Sequence, residues 1–325
     1  MSTRPGTIVL AGATGYLGRA VASELLKRGY RVVAPVRRLP GPDMPQIPDG
    51  CDVRVAAITS NHEMSTLLDD VRADAVISCI ASRSGEAKDA WRVDYGANSK
   101  LLAAAAAAGV RHFVLLSAIC VQKPALAFQH AKLAFEKELM DSELSWSIVR
   151  PTAFFKSISG QVDRVRAGKP FIVFGNGTET ACKPISEADL ARFLVDCLAD
   201  PGRHNRILPI GGPGEALTPL EQGALLFDVA GRSPRFRHVS PLLFRVALAL
   251  LAPFAAFSKR AAAKAELARI GHYYATESML SWDAEAGRYD ADATPSTGTD
   301  TLRDHYARML SEGAGDQDLG EHKLF

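Results

Sequence analysis

Apolar and polar positions follow two rhythms over the first half of the chain. The runs Thr7–Ala13, Tyr30–Arg38, Cys51–Ile58, Ala73–Ala81 and Arg111–Ile119 are short and rich in apolar residues, a pattern of strands buried on both faces. Between them, Leu17–Gly29, Glu63–Val71 and Asn98–Gly109 place apolar residues at helical spacing. A turn-rich stretch with Pro40, Pro42, Pro45 and Pro48 separates the second strand from the third. This alternation predicts a doubly wound α/β fold, a parallel sheet with helices on both faces. Ala127–Leu139 predicts one more amphipathic helix, and Trp146–Arg150 one more strand.

After residue 155 the alternation loosens. The expectation is a first domain over 1–155 and a mixed, mostly helical substrate-binding or lid region over 156–325, with 184–215 returning to the sheet. Within the second part, Pro241–Phe257 is the longest apolar run, interrupted by Arg245 and Pro253. It falls short of the ~18 uninterrupted apolar residues of a membrane-spanning helix. Three forms fit it: a lid over a large apolar ligand, a helix lying on a membrane surface, or a buried helical hairpin. The lid and buried forms lead, because Lys259, Arg260 and Lys264 follow only at its end. Residues 313–325 read as a mobile tail.

Composition narrows this picture little. The chain has 325 residues, 23% of them charged, and a formal net charge of +2, which gives no reason to expect a nucleic-acid partner. Cys51, Cys79, Cys120, Cys182 and Cys197 are odd in number and lack metal-ligand spacing, so reduced thiols in a cytoplasmic protein are expected, with no metal site. The first strand begins almost at the N-terminus, and no signal or transit segment is expected before it.

The chemistry begins at the first strand-to-helix turn, which reads Gly12-Ala-Thr14-Gly15-Tyr16-Leu17-Gly18. Glycines there allow a tight turn and close approach of the backbone to a pyrophosphate seated on the following helix N-terminus. In that context the motif predicts a Rossmann dinucleotide site. The second strand ends in Arg37 and Arg38 rather than a carboxylate, which suits the 2′-phosphate of NADPH, with Arg19 as a helper. On the helix Ala127–Leu139, Phe128 and Lys132 lie four apart on one face.

The glycine turn, the basic strand end and Lys132 together resemble the atypical short-chain dehydrogenases. That resemblance implies that Ser117 and Lys132 lie in the catalytic site and that Lys132 binds the nicotinamide ribose. Phe128 then stands where such enzymes carry a tyrosine that protonates a carbonyl oxygen. Further stretches narrow the family: "SRSGEAKDAWRVDY", "SIVRPTAFFKSISGQV", "ACKPISEADLA", "LPIGGPGEALTPLEQG", "IGHYYATESML" and "ADATPSTGTDTL". From about Ile8 to Leu319 the chain resembles the NADPH-dependent divinyl chlorophyllide 8-vinyl reductases.

This resemblance implies reduction of the 8-vinyl group of a Mg-tetrapyrrole, a divinyl chlorophyllide or protochlorophyllide, to ethyl. A vinyl group has no oxygen to protonate, so Phe128 is compatible with the reaction, either against the flat macrocycle or in the core. Phe154 and Phe155 are candidates for an apolar wall, with one of the pair expected in the core, and Lys156 and Lys183 for pairing with a propionate. Ser186 is expected as a helix N-cap, with Asp189 as a structural residue completing a box-like pattern. Lys132, Ser117, Lys123 and solvent are open as proton source, and Tyr273 and Tyr274 are the nearest substitutes for the missing phenol. Whether the chain stays in the cytoplasm or also touches the surface of photosynthetic membranes is left open by the resemblance. Two other readings stay open: an isoflavone-reductase-like enzyme acting on another conjugated C=C, and a non-enzymatic pigment-binding or regulatory protein on the same fold.

Overall fold

The computed structural model describes residues 6–39, 41, 46–82, 85–255 and 257–312. Pro40, Pro42 and Pro45 of the predicted turn and the tail 313–325 lie outside the described residues. The chain runs β1 (Thr7–Ala11), α1 (Tyr16–Lys27), β2 (Arg31–Val36), β3 (Asp52–Val55), α2 (Asn61–Val71), β4 (Ala75–Ser78) and α3 (Ala87–Ala90). A π-helical segment (Trp91–Ala97) leads straight into α4 (Asn98–Ala107), followed by β5 (His112–Leu116), α5 (Ala127–Met140) and β6 (Ser145–Pro151). Then come α6 (Phe155–Ile158), α7 (Val162–Arg166), β7 (Phe171–Phe174), α8 (Glu187–Asp196), β8 (Arg206–Ile210) and α9 (Pro219–Val229). The last elements are β9 (Phe236–Val239), α10 (Leu242–Ala255), α11 (Lys259–Thr276), β10 (Ser281–Asp283), β11 (Arg288–Asp290) and α12 (Leu302–Glu312).

Two compact units divide the chain. The first comprises Met1–Val121, Ala127–Arg150 and Leu190–Leu208; the second comprises Gln122–Leu126, Pro151–Asp189 and Pro209–Phe325. The expected split at 155 is thus finer in the structure, with a five-residue piece after Val121 assigned to the second unit.

The seven-stranded sheet has the order β3-β2-β1-β4-β5-β6-β8, and the pairings from β3 through β6 are parallel. The order reverses direction between β1 and β4, and the carboxyl ends of strands at such a switch point open a crevice for a ligand. Strands β1, β2, β4 and β5 are nearly continuous in buried apolar residues because helices cover both faces; on one face Val9, Val33, Val76 and Phe113 pack with Leu68, Leu101 and Phe135 from α2, α4 and α5. The helices start and stop where local chemistry dictates. Ser60 caps α2 by accepting from the Glu63 N–H at 3.3 Å, and Gly109, with φ +67, turns the chain after α4.

In the second unit, β7 and β9 pair in parallel and β10 and β11 antiparallel. Its core gathers Phe155, Val162, Phe171, Phe227 and Tyr306. Helices α10 and α11 form the hairpin that one reading of Pro241–Phe257 anticipated, but α10 is not buried: none of its described residues is. One face packs inward, with the Phe244 ring tilted against Phe174 at 4.9 Å between centroids and seated on Gly271, where a Cβ would lie 2.5 Å from the ring. The other face is open, which removes the buried form of that expectation.

Candidate active site

The glycine turn has the geometry of an anion cradle. Gly12 sits at the end of β1 with φ +88, and a Cβ there would lie 2.8 Å from the Cys79 carbonyl oxygen beyond the end of β4. Glycine is required on both counts. The Gly15 N–H donates to the Gly12 carbonyl at 2.9 Å and closes the turn. A Cβ on Gly18 would run into that carbonyl, so α1 rests directly on the loop, anchored by buried Leu17. No side chain caps α1 at Gly15, and no acid lies in its first turn, so no carboxylate offsets the positive end of the helix dipole there. Thr14 and Tyr16 flank this point, both half-buried. The Arg19 guanidinium donates to the Thr14 carbonyl at 3.0 Å and braces the loop.

Arg37 and Arg38 follow β2 directly, are exposed, and form no ion pair with any described residue. Two uncompensated guanidinium groups one strand away from the glycine turn fit a phosphate on the ribose side of a dinucleotide. The residues present therefore fit an NADP(H)-type cofactor on both tests.

Lys132 lies on α5, and its ammonium is 3.0 Å from the Asp94 carboxylate, with side-chain exposures of only 12% and 1%. Asp94 is carried by the π-helical segment, whose wider turn displaces it from α-helical register, a feature frequent at functional sites. The other Asp94 oxygen accepts from the Ser82 N–H at 3.3 Å, and its backbone carbonyl accepts from Asn98 at 3.0 Å. Asn98 in turn receives the Ser78 hydroxyl at the end of β4. A connected polar set thus links the end of β4, the π-helix, α4 and Lys132. Sequence reasoning missed Asp94 and Asn98; their i, i+4 spacing before an Ala-rich helix was the available signal. Phe128, one turn before Lys132, is half-buried and outside the main core cluster, so its ring keeps accessible surface.

Ser117 departs from the expected catalytic role. It is 4% exposed, and its hydroxyl donates to Glu136, which is fully buried and forms an ion pair with Arg150. Its proton is committed to a structural carboxylate, so Ser117 serves the Ser117–Glu136–Arg150 network rather than a reacting group. Glu136 was unreadable from the sequence, because a glutamate in "KLAFEKEL" has the local pattern of a solvated helix face.

Residues assigned to substrate in the second unit fare unevenly. Phe154 and Lys156 are half-buried, whereas Phe155 is 1% exposed and its ring packs on His305 at 5.1 Å. Phe155 is core, removed from the expected wall by the collapse of the apolar cluster around Tyr306. Lys183, proposed for a propionate, is instead buried and donates to the Thr294 carbonyl at 3.1 Å. Lys123 is held 2.7 Å from Glu277 and 4.3 Å over the Trp282 ring, a poor setting for a free proton donor. Tyr273, a substitute for the missing phenol, is buried and donates to the Lys123 carbonyl at 3.1 Å. Ser186 caps α8 as expected, accepting from the Asp189 N–H at 3.0 Å, while the Asp189 carboxylate receives the amides of Thr299 and Asp300. No group of three or more metal-ligating side chains occurs among the described residues.

A parallel sheet with this strand order, a glycine turn under an uncapped helix and a paired lysine on the helix after β5 define a nicotinamide-dinucleotide oxidoreductase of Rossmann type. The family described as NAD(P)H-binding matches residues 12–201. A solved NADPH-dependent quinone oxidoreductase from Escherichia coli, bound to NADPH, has the same fold, with a TM-score of 0.67 and 19% identity over 93% of this chain and 99% of that one. Much higher identity comes from two chloroplastic divinyl chlorophyllide a 8-vinyl-reductases. The Arabidopsis thaliana protein is 46% identical over 97% of this chain and 79% of its own, and the Cucumis sativus protein 48% over 98% and 79%. The chain belongs to the divinyl chlorophyllide a 8-vinyl-reductase family.

Proposed function

We propose that the protein reduces the 8-vinyl group of a 3,8-divinyl chlorophyllide or protochlorophyllide to ethyl, with NADPH as reductant. The carrying observation is the 46–48% identity to vinyl-reductases along nearly the whole chain. Arg37 and Arg38, exposed and without an ion pair among the described residues, support NADPH over NADH. Bound on the glycine turn, the dinucleotide supplies a hydride to one vinyl carbon; a proton to the other completes the ethyl group. Lys132 holds the nicotinamide ribose, and Asp94 aims Lys132. Phe128 offers an apolar ring to the flat pigment, in keeping with a bond that has no oxygen to protonate. The chain's contribution is alignment of two planar rings and exclusion of water. With Ser117 and Lys123 engaged elsewhere, the proton comes from solvent or from Lys132. Work at the surface of photosynthetic membranes is part of the same reading.

The test is an absorbance assay with purified protein, 3,8-divinyl chlorophyllide and either NADPH or NADH. The expected result is a blue shift of the Soret band and a gain of two hydrogens by mass, faster with NADPH. No mass gain with pigment and NADPH both bound would overturn the reductase assignment. Equal rates with both nucleotides would overturn only the 2′-phosphate assignment.

A further inference from the structure

The outer face of α10 is an apolar surface that the proposed reaction does not use. Leu242, Leu243, Val246, Leu250 and Phe254 fall within about 120° of arc at 100° per residue, and each is more than half exposed. Leu250 is 68% exposed, and Phe257, in the turn after the helix, is 92% exposed. A solvated helix would carry polar residues there. The inward face is apolar as well, and already spoken for by Phe174 and Gly271.

Charge identifies what covers this face. From Val229 to Ala265 the sequence has no Asp or Glu and seven cations: Arg232, Arg235, Arg237, Arg245, Lys259, Arg260 and Lys264. Arg237, Arg245, Arg260 and Lys264 are exposed, and none of them pairs with a carboxylate among the described residues. Arg245 lies on α10 beside the apolar arc, Arg237 on the strand leading into the helix, and Arg260 and Lys264 on the first turns after it. A second copy of the chain is a poor partner, since a symmetric contact would set these cations against themselves with no acid in the stretch to neutralise them. A transmembrane role is ruled out by length: α10 has 14 residues, or about 21 Å, against a hydrocarbon core of ~30 Å.

We infer that α10 is an interfacial anchor that lays its Leu242–Phe254 face into the headgroup region of an anionic lipid bilayer, with Arg237, Arg245, Arg260 and Lys264 on lipid phosphates. Apolar burial and cation attraction add in such helices, and neither alone holds firmly. This deepens the membrane-surface part of the proposed function and is read without any assay of reduction.

The experiment is vesicle flotation of the full chain with phosphatidylglycerol–phosphatidylcholine vesicles and with phosphatidylcholine alone, at low and high salt. Binding is expected to the anionic vesicles and to weaken with salt. Leu250→Glu should weaken it by at least about tenfold, the loss of one buried leucine. Arg260→Ala with Lys264→Ala should weaken it by roughly an order of magnitude or more, at about fivefold per cation. All these positions are exposed, and unchanged circular dichroism and melting would confirm folding. Equal binding to neutral vesicles, no binding to either, or binding indifferent to both variants would overturn the inference. Concentration-dependent dimers in analytical ultracentrifugation that Leu250→Glu dissolves would overturn it too, by assigning the face to a second copy.

Discussion

Asp94→Asn tests whether the π-helical carboxylate governs Lys132. The substitution keeps the shape of the side chain and the backbone carbonyl that receives Asn98, removes the charge, and replaces one of the two acceptor oxygens, shared between Lys132 and the Ser82 amide, with an NH2 donor. What is lost is an ion pair at 3.0 Å between groups 12% and 1% exposed. Deleting one partner of a fully buried pair costs about 3–5 kcal/mol, because the survivor is left charged without compensation. Here Lys132 keeps some contact with water and the Asn oxygen still accepts a hydrogen bond, so about 2 kcal/mol is expected, nearer to one charged hydrogen bond. At roughly 1.5 °C per kcal/mol for a chain of 325 residues, the melting temperature should fall by about 3 °C. If Lys132 holds the nicotinamide ribose, its lost orientation should weaken NADPH binding as well, by about tenfold, measured by fluorescence titration. A cycle with Lys132→Met separates the two effects: the double variant should be more stable than Asp94→Asn alone, since no orphan charge remains. An unchanged melting temperature and unchanged NADPH affinity in Asp94→Asn would refute the reasoning.

Four further outcomes are expected. Arg37→Ala with Arg38→Ala should reduce the preference for NADPH over NADH by about 10–100-fold in kcat/KM, the worth of a charged hydrogen-bond pair; a preserved ratio would place the 2′-phosphate elsewhere. Ser117→Ala should leave turnover within about twofold and cost about 1 kcal/mol in urea unfolding, whereas Glu136→Ala, which strands buried Arg150, should cost about 3–5 kcal/mol; a large loss of turnover with stability intact in Ser117→Ala would restore its catalytic role. Phe128→Ala should raise KM for the pigment while NADPH affinity stays constant, as steady-state kinetics would show, and an unchanged KM would assign the ring to packing. Burial, reinforced by His204, pushes the His112 pKa down from its ordinary value near 6.5 to about 4. The unfolded chain therefore takes up this proton first, and stability should fall as pH drops from about 6.5 toward 4, by roughly 2 kcal/mol at pH 5. His112→Gln should flatten that slope in pH-dependent unfolding, and an unaltered slope would exclude His112 as its source.

Periodicity and local chemistry were enough to read the sheet, the helices around it, the glycine turn and the basic end of β2, because each depends on residues adjacent in the chain. A strand buried on both faces must be apolar, and a turn that brings backbone against Cys79 must use glycine at position 12. The family was legible too, through long stretches that run beyond any single motif. Contacts between distant segments were not. Asp94 meets Lys132 across 38 positions of sequence, and Glu136 meets Ser117 and Arg150 only once α5 packs on the paired strands β5 and β6. A charged residue on a helix looks the same whether solvent or a buried partner awaits it, so Ser117 and Lys183 read as site residues although the fold spends both on structural hydrogen bonds. Phe154 and Phe155, adjacent in sequence, part company because the apolar cluster around Tyr306 encloses only one ring. The apolar run 241–257 carries the same ambiguity on a larger scale: its composition is that of a buried hairpin, and only the packing of Phe244 on Gly271 decides which face is turned inward and which is left for another surface.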